Sequence, residues 1–177
     1  MGPPSLTFEP ARCTACMACE LTCSFVKEQV FTLAFSRIKV VQVYELGVNV
    51  PIACLHCEEA PCIPSCPSEA IVQAGEWGPL RIIAELCSGC GECVEACPYG
   101  AVHVPCEREV AALCDLCGGR PACVSSCLYG ALRFEGRPDA TFASLELATA
   151  GLELPAKQWQ VATALAERLV AAWEMRS

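Results

Sequence analysis

The chain has 177 residues, 17 cysteines and a formal charge of −8, a size for one domain or two small intertwined ones and an acidity that disfavours nucleic acid and anionic membrane surfaces. Cysteine at this level ordinarily signals a secreted disulfide scaffold, but the count is odd, and bridges between thiols two or three residues apart would be strained. The first ten residues lack the basic and apolar segments of an export signal, and no apolar run reaches the roughly 18 residues of a membrane span, so metal-bound thiolates in a reducing cytoplasm are expected, with no membrane insertion.

In chain order, a short edge strand is expected around Leu6-Thr7-Phe8, followed by a first cysteine group, Cys13, Cys16, Cys19 and Cys23. Its spacing is C-x2-C-x2-C-x3-C, with Ser24 where this pattern usually has proline. Arg37 to Tyr44 is rich in β-branched residues, and a turn at Leu46-Gly47 then leads to Val48–Ile52, which predicts a β-hairpin. The second group is Cys54, Cys57, Cys62 and Cys66, followed by Pro67. Glu69–Gln73 and Leu80–Ile83 flank Ala-Gly-Glu-Trp-Gly and read as another hairpin.

The third group organises the rest: Cys87, Cys90, Cys93 and Cys97, closed by Pro98. This is the bacterial ferredoxin run, whose first three thiolates wrap one [4Fe–4S] cluster while the fourth reaches a second cluster. A fourth thiol three residues on sits on a short helix turned away from the loop, so each run implies a partner run. Tyr99–Val104 is expected as a short strand, and Cys106 stands alone as a plain thiol. The fourth group is Cys114, Cys117, Cys123 and Cys127, followed by a strand within Tyr129–Phe134. The second, third and fourth groups each close on a cysteine, a short turn, an alanine and a β-forming pair (Ala70-Ile71, Ala101-Val102, Ala131-Leu132), an internal repeat.

Zinc is the competing occupant, but zinc sites take two C-x2-C pairs separated by a longer loop rather than triplets with a fourth cysteine at x3. His56, between Cys54 and Cys57, either tunes a cluster by hydrogen bonding or is an electronically silent loop residue; His103 reads as structural. No nucleophile elbow, phosphate loop or dinucleotide fingerprint occurs, so no catalytic residue is assigned and the chain is not expected to be an enzyme by itself. After a linker over residues 135–155, Ala156 to Met175 carries a helical apolar stripe of Trp159, Ala162, Leu165, Leu169 and Trp173. That amphipathic helix either packs on its own domain or docks on another chain.

The four groups in this order resemble the four-cluster ferredoxin-like electron-transfer subunits of molybdenum and tungsten oxidoreductases, the β-subunit type of DMSO reductases and formate dehydrogenases. Cys19-Glu-Leu-Thr-Cys23-Ser-Phe, Ser36-Arg-Ile-Lys-Val40, Cys54-Leu-His-Cys57-Glu-Glu-Ala-Pro-Cys62 and Cys114-Asp-Leu-Cys117-Gly-Gly are most similar to the small subunit of tungsten aldehyde oxidoreductases. The resemblance covers residues 7 to about 134. It implies an α+β fold of two intertwined dicluster units with short hairpins and short helices over residues 1–134, extended by the C-terminal helix. It also implies four [4Fe–4S] clusters and a catalytic oxidoreductase partner. Its ligand sets would be Cys13, Cys16, Cys19 and Cys127; Cys114, Cys117, Cys123 and Cys23; Cys54, Cys57, Cys62 and Cys97; and Cys87, Cys90, Cys93 and Cys66. The departures from its pattern are the missing prolines after Cys23 and Cys127, where Ser24 and Leu128 stand. A freely diffusing polyferredoxin, or the corresponding subunit of a hydrogenase or carbon monoxide dehydrogenase, is the alternative.

Overall fold

The computed structural model describes residues 4–75 and 78–136. The expected linker and the helix over 156–175 lie outside the described residues. Among the described residues, the sheet structure consists of three separate two-stranded antiparallel ribbons. β1 (Pro4–Phe8) pairs with β6 (Leu132–Gly136), β2 (Ile38–Val43) with β3 (Val48–Ala53), and β4 (Ile71–Gln73) with β5 (Leu80–Ile82). The first ribbon joins the two ends of the described chain in register, Leu6 opposite Phe134 and Phe8 opposite Leu132. It therefore carries the fourth cysteine group back to the first, and β6 runs two residues past the expected boundary at 134.

Short helices lie inside the cysteine groups. α1 (Ala18–Glu28) contains Cys19 and Cys23, whereas α2 (Glu92–Ala96) and α3 (Ala122–Ser125) end just before Cys97 and Cys127. The first missing proline now has a physical reason. α1 continues past Cys23 to Glu28, and a proline at position 24 would remove a helical hydrogen bond and clash with the preceding turn. Leu128 is 87% exposed, so little among the described residues packs on that position. The expected helix under the fourth cysteine is absent at Cys66, which lies in consecutive turns. The strand expected over Tyr99–Val104 reduces to an isolated bridge between His103 and Ala112, because only those two residues meet in ladder geometry.

Apolar side chains and thiols share one core. Leu6, Ile38, Val43, Val50 and Leu80 are fully buried alongside Cys19, Cys23, Cys54, Cys62, Cys93, Cys97, Cys114 and Cys123. Glu20 is buried as well, 3% exposed, and its carboxylate accepts the Val40 amide N–H at 2.8 Å, which fastens α1 to β2. Burial raises its pKa against that hydrogen bond and the charge of Lys39.

Candidate metal centre

The cysteine loops share a backbone device that their spacing does not disclose. The second residue after the first cysteine is left-handed in all four groups: Ala15 (φ 53°), His56 (φ 50°), Gly89 (φ 66°) and Leu116 (φ 56°). The fourth residue is left-handed in three: Met17, Gly91 and Gly118. Non-glycine residues avoid this region at roughly 1–2 kcal/mol each, so its recurrence marks a demand on the loop. Left-handed turns aim successive amide N–H groups inward, forming concavities that hold anions, iron–sulfur sites among them. The amides of Ala15, His56 and Leu116 hydrogen-bond the thiols of Cys13, Cys54 and Cys114. The signal in the sequence was the alignment of Ala15 and Met17 with Gly89 and Gly91 in an equally spaced group.

The repeat after the fourth cysteine has a similar basis. Glu69, Gly100 and Gly130, each three residues on, are left-handed and donate their amides to the carbonyls of Cys66, Cys97 and Cys127. The next amide then reaches sulfur: Ala70 N–H to Cys66 Sγ at 3.3 Å and Ala101 N–H to Cys97 Sγ at 3.4 Å. In the first group the helix continues instead, and the amide of Arg37 donates to Cys23 Sγ at 3.3 Å.

Thiols far apart in sequence surround common voids. Cys13, Cys16, Cys19 and Cys127 line one of about 340 Å³, open in part to solvent. Cys23, Cys114, Cys117 and Cys123 line a second, and Cys66, Cys87, Cys90 and Cys93 another, each of about 300 Å³. Cys54, Cys57, Cys62 and Cys97 are brought within electrostatic reach of one another. Cys106 is exposed and lines none of these three voids.

These sulfurs are costly to ionise alone. Burial, then neighbouring negative charge, pushes the thiols of Cys19, Cys62 and Cys114 up to about 12 and that of Cys93 to about 11. For Cys114 the amide of Leu116 opposes the rise more strongly than any one neighbouring charge adds to it. Cys54 and Cys123 move in the same direction, again mainly by burial. Such thiols ionise against a multivalent cation. All 17 are free of disulfides. Among the described residues no group of three or more His, Cys, Asp or Glu side chains is set to hold a single metal ion. Zinc needs four ligands converging at about 2.0–2.3 Å, whereas these thiols ring spaces, the arrangement an extended inorganic core requires. The buried Nε–H of Arg37, beside the Cys23 void, has no hydrogen-bond partner among the described residues, which fits an anionic occupant.

The sets also abut one another. Cys19 of the first lies within electrostatic reach of Cys123 of the second, Cys54 of the third within reach of Cys114 of the second, and Cys62 of the third within reach of Cys93 of the fourth. The exposed thiols of the four sets are Cys16 and Cys90, at the two ends of that series.

The two histidines separate. His56 is buried, and its backbone N–H reaches Cys54 Sγ at 3.5 Å. Its ring Nδ1 accepts the Leu80 N–H at 2.9 Å, so the amide rather than Nδ1 donates to the sulfur. His103 Nε2 lies 3.3 Å from the Ala34 carbonyl, away from the thiols. Sequence reasoning missed Lys27, Arg37 and Asp115, which line the second void, because an isolated charge carries no spacing signal.

The thiol sets and their amide-lined loops define an iron–sulfur protein of ferredoxin-like type. Residues 47–137 match the 4Fe-4S dicluster domain family and residues 10–26 a 4Fe-4S binding domain; the chain belongs to the dicluster family. It is 38% identical over 105 residues to the aliphatic sulfonate oxidoreductase polyferredoxin-like subunit of Pyrococcus furiosus, covering 59% of this chain and 60% of that one. Against hydrogenase-4 component A of Escherichia coli it is 35% identical over 104 residues, covering 59% and 49%. Against the electron transport protein HydN of the same species it is 35% identical over 105 residues, covering 54% and 57%. The chain thus spans about half to three-fifths of these relatives' lengths. No helix among the described residues is long and apolar enough to cross a membrane.

Proposed function

We propose that the chain is an electron wire: four [4Fe–4S] clusters that carry electrons to or from a catalytic oxidoreductase subunit. The observation that carries this reading is the series of abutting thiol sets with an exposed thiol at each end. The sets in series are Cys13, Cys16, Cys19 and Cys127; Cys23, Cys114, Cys117 and Cys123; Cys54, Cys57, Cys62 and Cys97; and Cys66, Cys87, Cys90 and Cys93. Each cluster supplies one-electron chemistry when bound. The chain's own part is to hold the thiols, aim amides at sulfur and exclude water from the two inner sets.

The relatives' names, subunits and components of oxidoreductases and a hydrogenase, support a catalytic partner. The sequence resemblance favours a tungsten or molybdenum aldehyde oxidoreductase in the cytoplasm. Residues 156–175 are the docking segment offered to that partner or to a second copy of this chain. Anaerobic purification from the native host tests the reading. A co-purifying tungsten- or molybdenum-containing subunit, whose aldehyde substrate bleaches the clusters, is the expected result. A chain that purifies alone and is reduced by no co-purifying enzyme overturns the bound-subunit reading in favour of a diffusing polyferredoxin.

A further inference from the structure

The second thiol void differs electrically from that of Cys66, Cys87, Cys90 and Cys93. Lys27, Arg37 and Asp115 all line it together with Cys23, Cys114, Cys117 and Cys123, whereas the void of Cys66, Cys87, Cys90 and Cys93 has no charged side chain in its wall besides thiols. Lys27 Nζ sits between both Asp115 carboxylate oxygens at 2.7 and 2.8 Å, and Arg37 donates to the same carboxylate at 3.1 Å. The Lys27 and Arg37 side chains are 15% and 23% exposed. Arg37 also lies 3.8 Å from Glu28, which Arg108 pairs at 2.5 Å. Three cations (Lys27, Arg37 and the more exposed Arg108) thus face two carboxylates (Asp115 and Glu28), and one positive charge is left over in the network behind this wall. The unpartnered Arg37 Nε–H belongs to the same wall, and the Arg37 backbone N–H already donates to Cys23 Sγ.

Reduction adds one electron to an already anionic cluster. A fixed cation in a partly desolvated wall favours the reduced form, and screening by water is weaker there than at the surface. Hydrogen bonds to sulfur act in the same direction. Asp115 opposes the effect, and it is held by Lys27, Arg37 and the Cys117 amide, which donates to Oδ1 at 3.1 Å. We infer that Lys27 and Arg37 are potential-setting residues. They raise the cluster of Cys23, Cys114, Cys117 and Cys123 above that of Cys66, Cys87, Cys90 and Cys93, so that the wire has a built-in electron-holding position next to its first site. The inference rests on the four-cluster reading.

The test is an EPR-monitored redox titration of the iron-loaded full chain and its Lys27→Gln, Lys27→Arg and Asp115→Asn variants, with iron content measured on each. In Lys27→Gln one midpoint should fall and the other three hold, with about a tenfold lower reduced-to-oxidised ratio at fixed potential, equivalent to 59 mV for one electron. The same midpoint should rise in Asp115→Asn, whose amide oxygen still accepts from Cys117, and should stay in Lys27→Arg. A structural role for the ion pair would not move the two variants in opposite directions. No shift, a shift of the same sign in both, or loss of one cluster's iron in either variant overturns the inference. A wild-type chain with fewer than four midpoints would instead sink the four-cluster reading beneath it.

Discussion

Cys127 lines the same void as Cys13, although the two lie at opposite ends of the described chain, and the Cys127 sulfur adds to the burial that makes Cys13 harder to ionise. The β1–β6 ribbon produces this meeting by pairing Phe8 with Leu132. Cys127→Ser should therefore remove or convert the cluster of Cys13, Cys16 and Cys19. The expected iron loss is up to about four atoms from about sixteen, with the remaining clusters spectroscopically intact. Cys106→Ser, at an exposed thiol outside the voids, should change neither iron content nor spectrum. Bleaching by Cys106→Ser would mean a misassigned ligand.

Gly89 and Gly91 allow two backbone effects to be separated. Both have positive φ, but a Cβ on Gly91 meets open space, whereas one on Gly89 would stand 2.7 Å from the Glu109 carbonyl oxygen. Gly91→Ala should cost roughly 1–2 kcal/mol from conformation alone. Gly89→Ala should cost more and displace the segment whose Ala111 amide bonds Cys87 Sγ at 3.4 Å. Denaturant melts of the iron-loaded variants measure the difference. Equal costs would show that Glu109 yields freely.

How much of this was legible beforehand depends on the length scale of the signal. The four cysteine groups are visible as spacing because each loop is local. Both central hairpins follow from β-branched runs such as Ile38–Val43. The short helix expected under every fourth cysteine fails at Cys66, where successive turns already bring the Ala70 amide to its sulfur. The strand over Tyr99–Val104 reduces to the His103–Ala112 bridge although Tyr99, Ala101 and Val102 are buried, so their apolar pattern reports burial and not a ladder. Lys27, Arg37 and Asp115 meet only through tertiary folding, so no motif announces them.

Stability should respond to acid through His103. Burial, then the nearby Lys39 charge, lowers its pKa from 6.5 to about 4. The unfolded chain takes up that proton first, so stability falls as pH drops through 6.5 and the loss levels off below about 4. The slope from this group is at most about 1.4 kcal/mol per pH unit. His103→Gln should flatten the profile of denaturant midpoint against pH over this window. An unchanged profile would assign the acid sensitivity elsewhere.

Removing the iron should unfold the domain. Eight thiols belong to the buried core beside Leu6, Ile38 and Leu80, and metal binding in such small domains supplies folding free energy directly. Chelation should therefore abolish the near-UV circular dichroism along with the brown colour. A colourless protein with its near-UV signals retained would show that the apolar core holds the fold alone.

The most direct test of the central claim is the iron, acid-labile sulfide and zinc content of anaerobically purified chain. Four [4Fe–4S] clusters require about sixteen irons and about sixteen sulfides per chain with negligible zinc. Near-stoichiometric zinc without sulfide, or only about eight irons in fully loaded protein, would contradict the four-cluster wire.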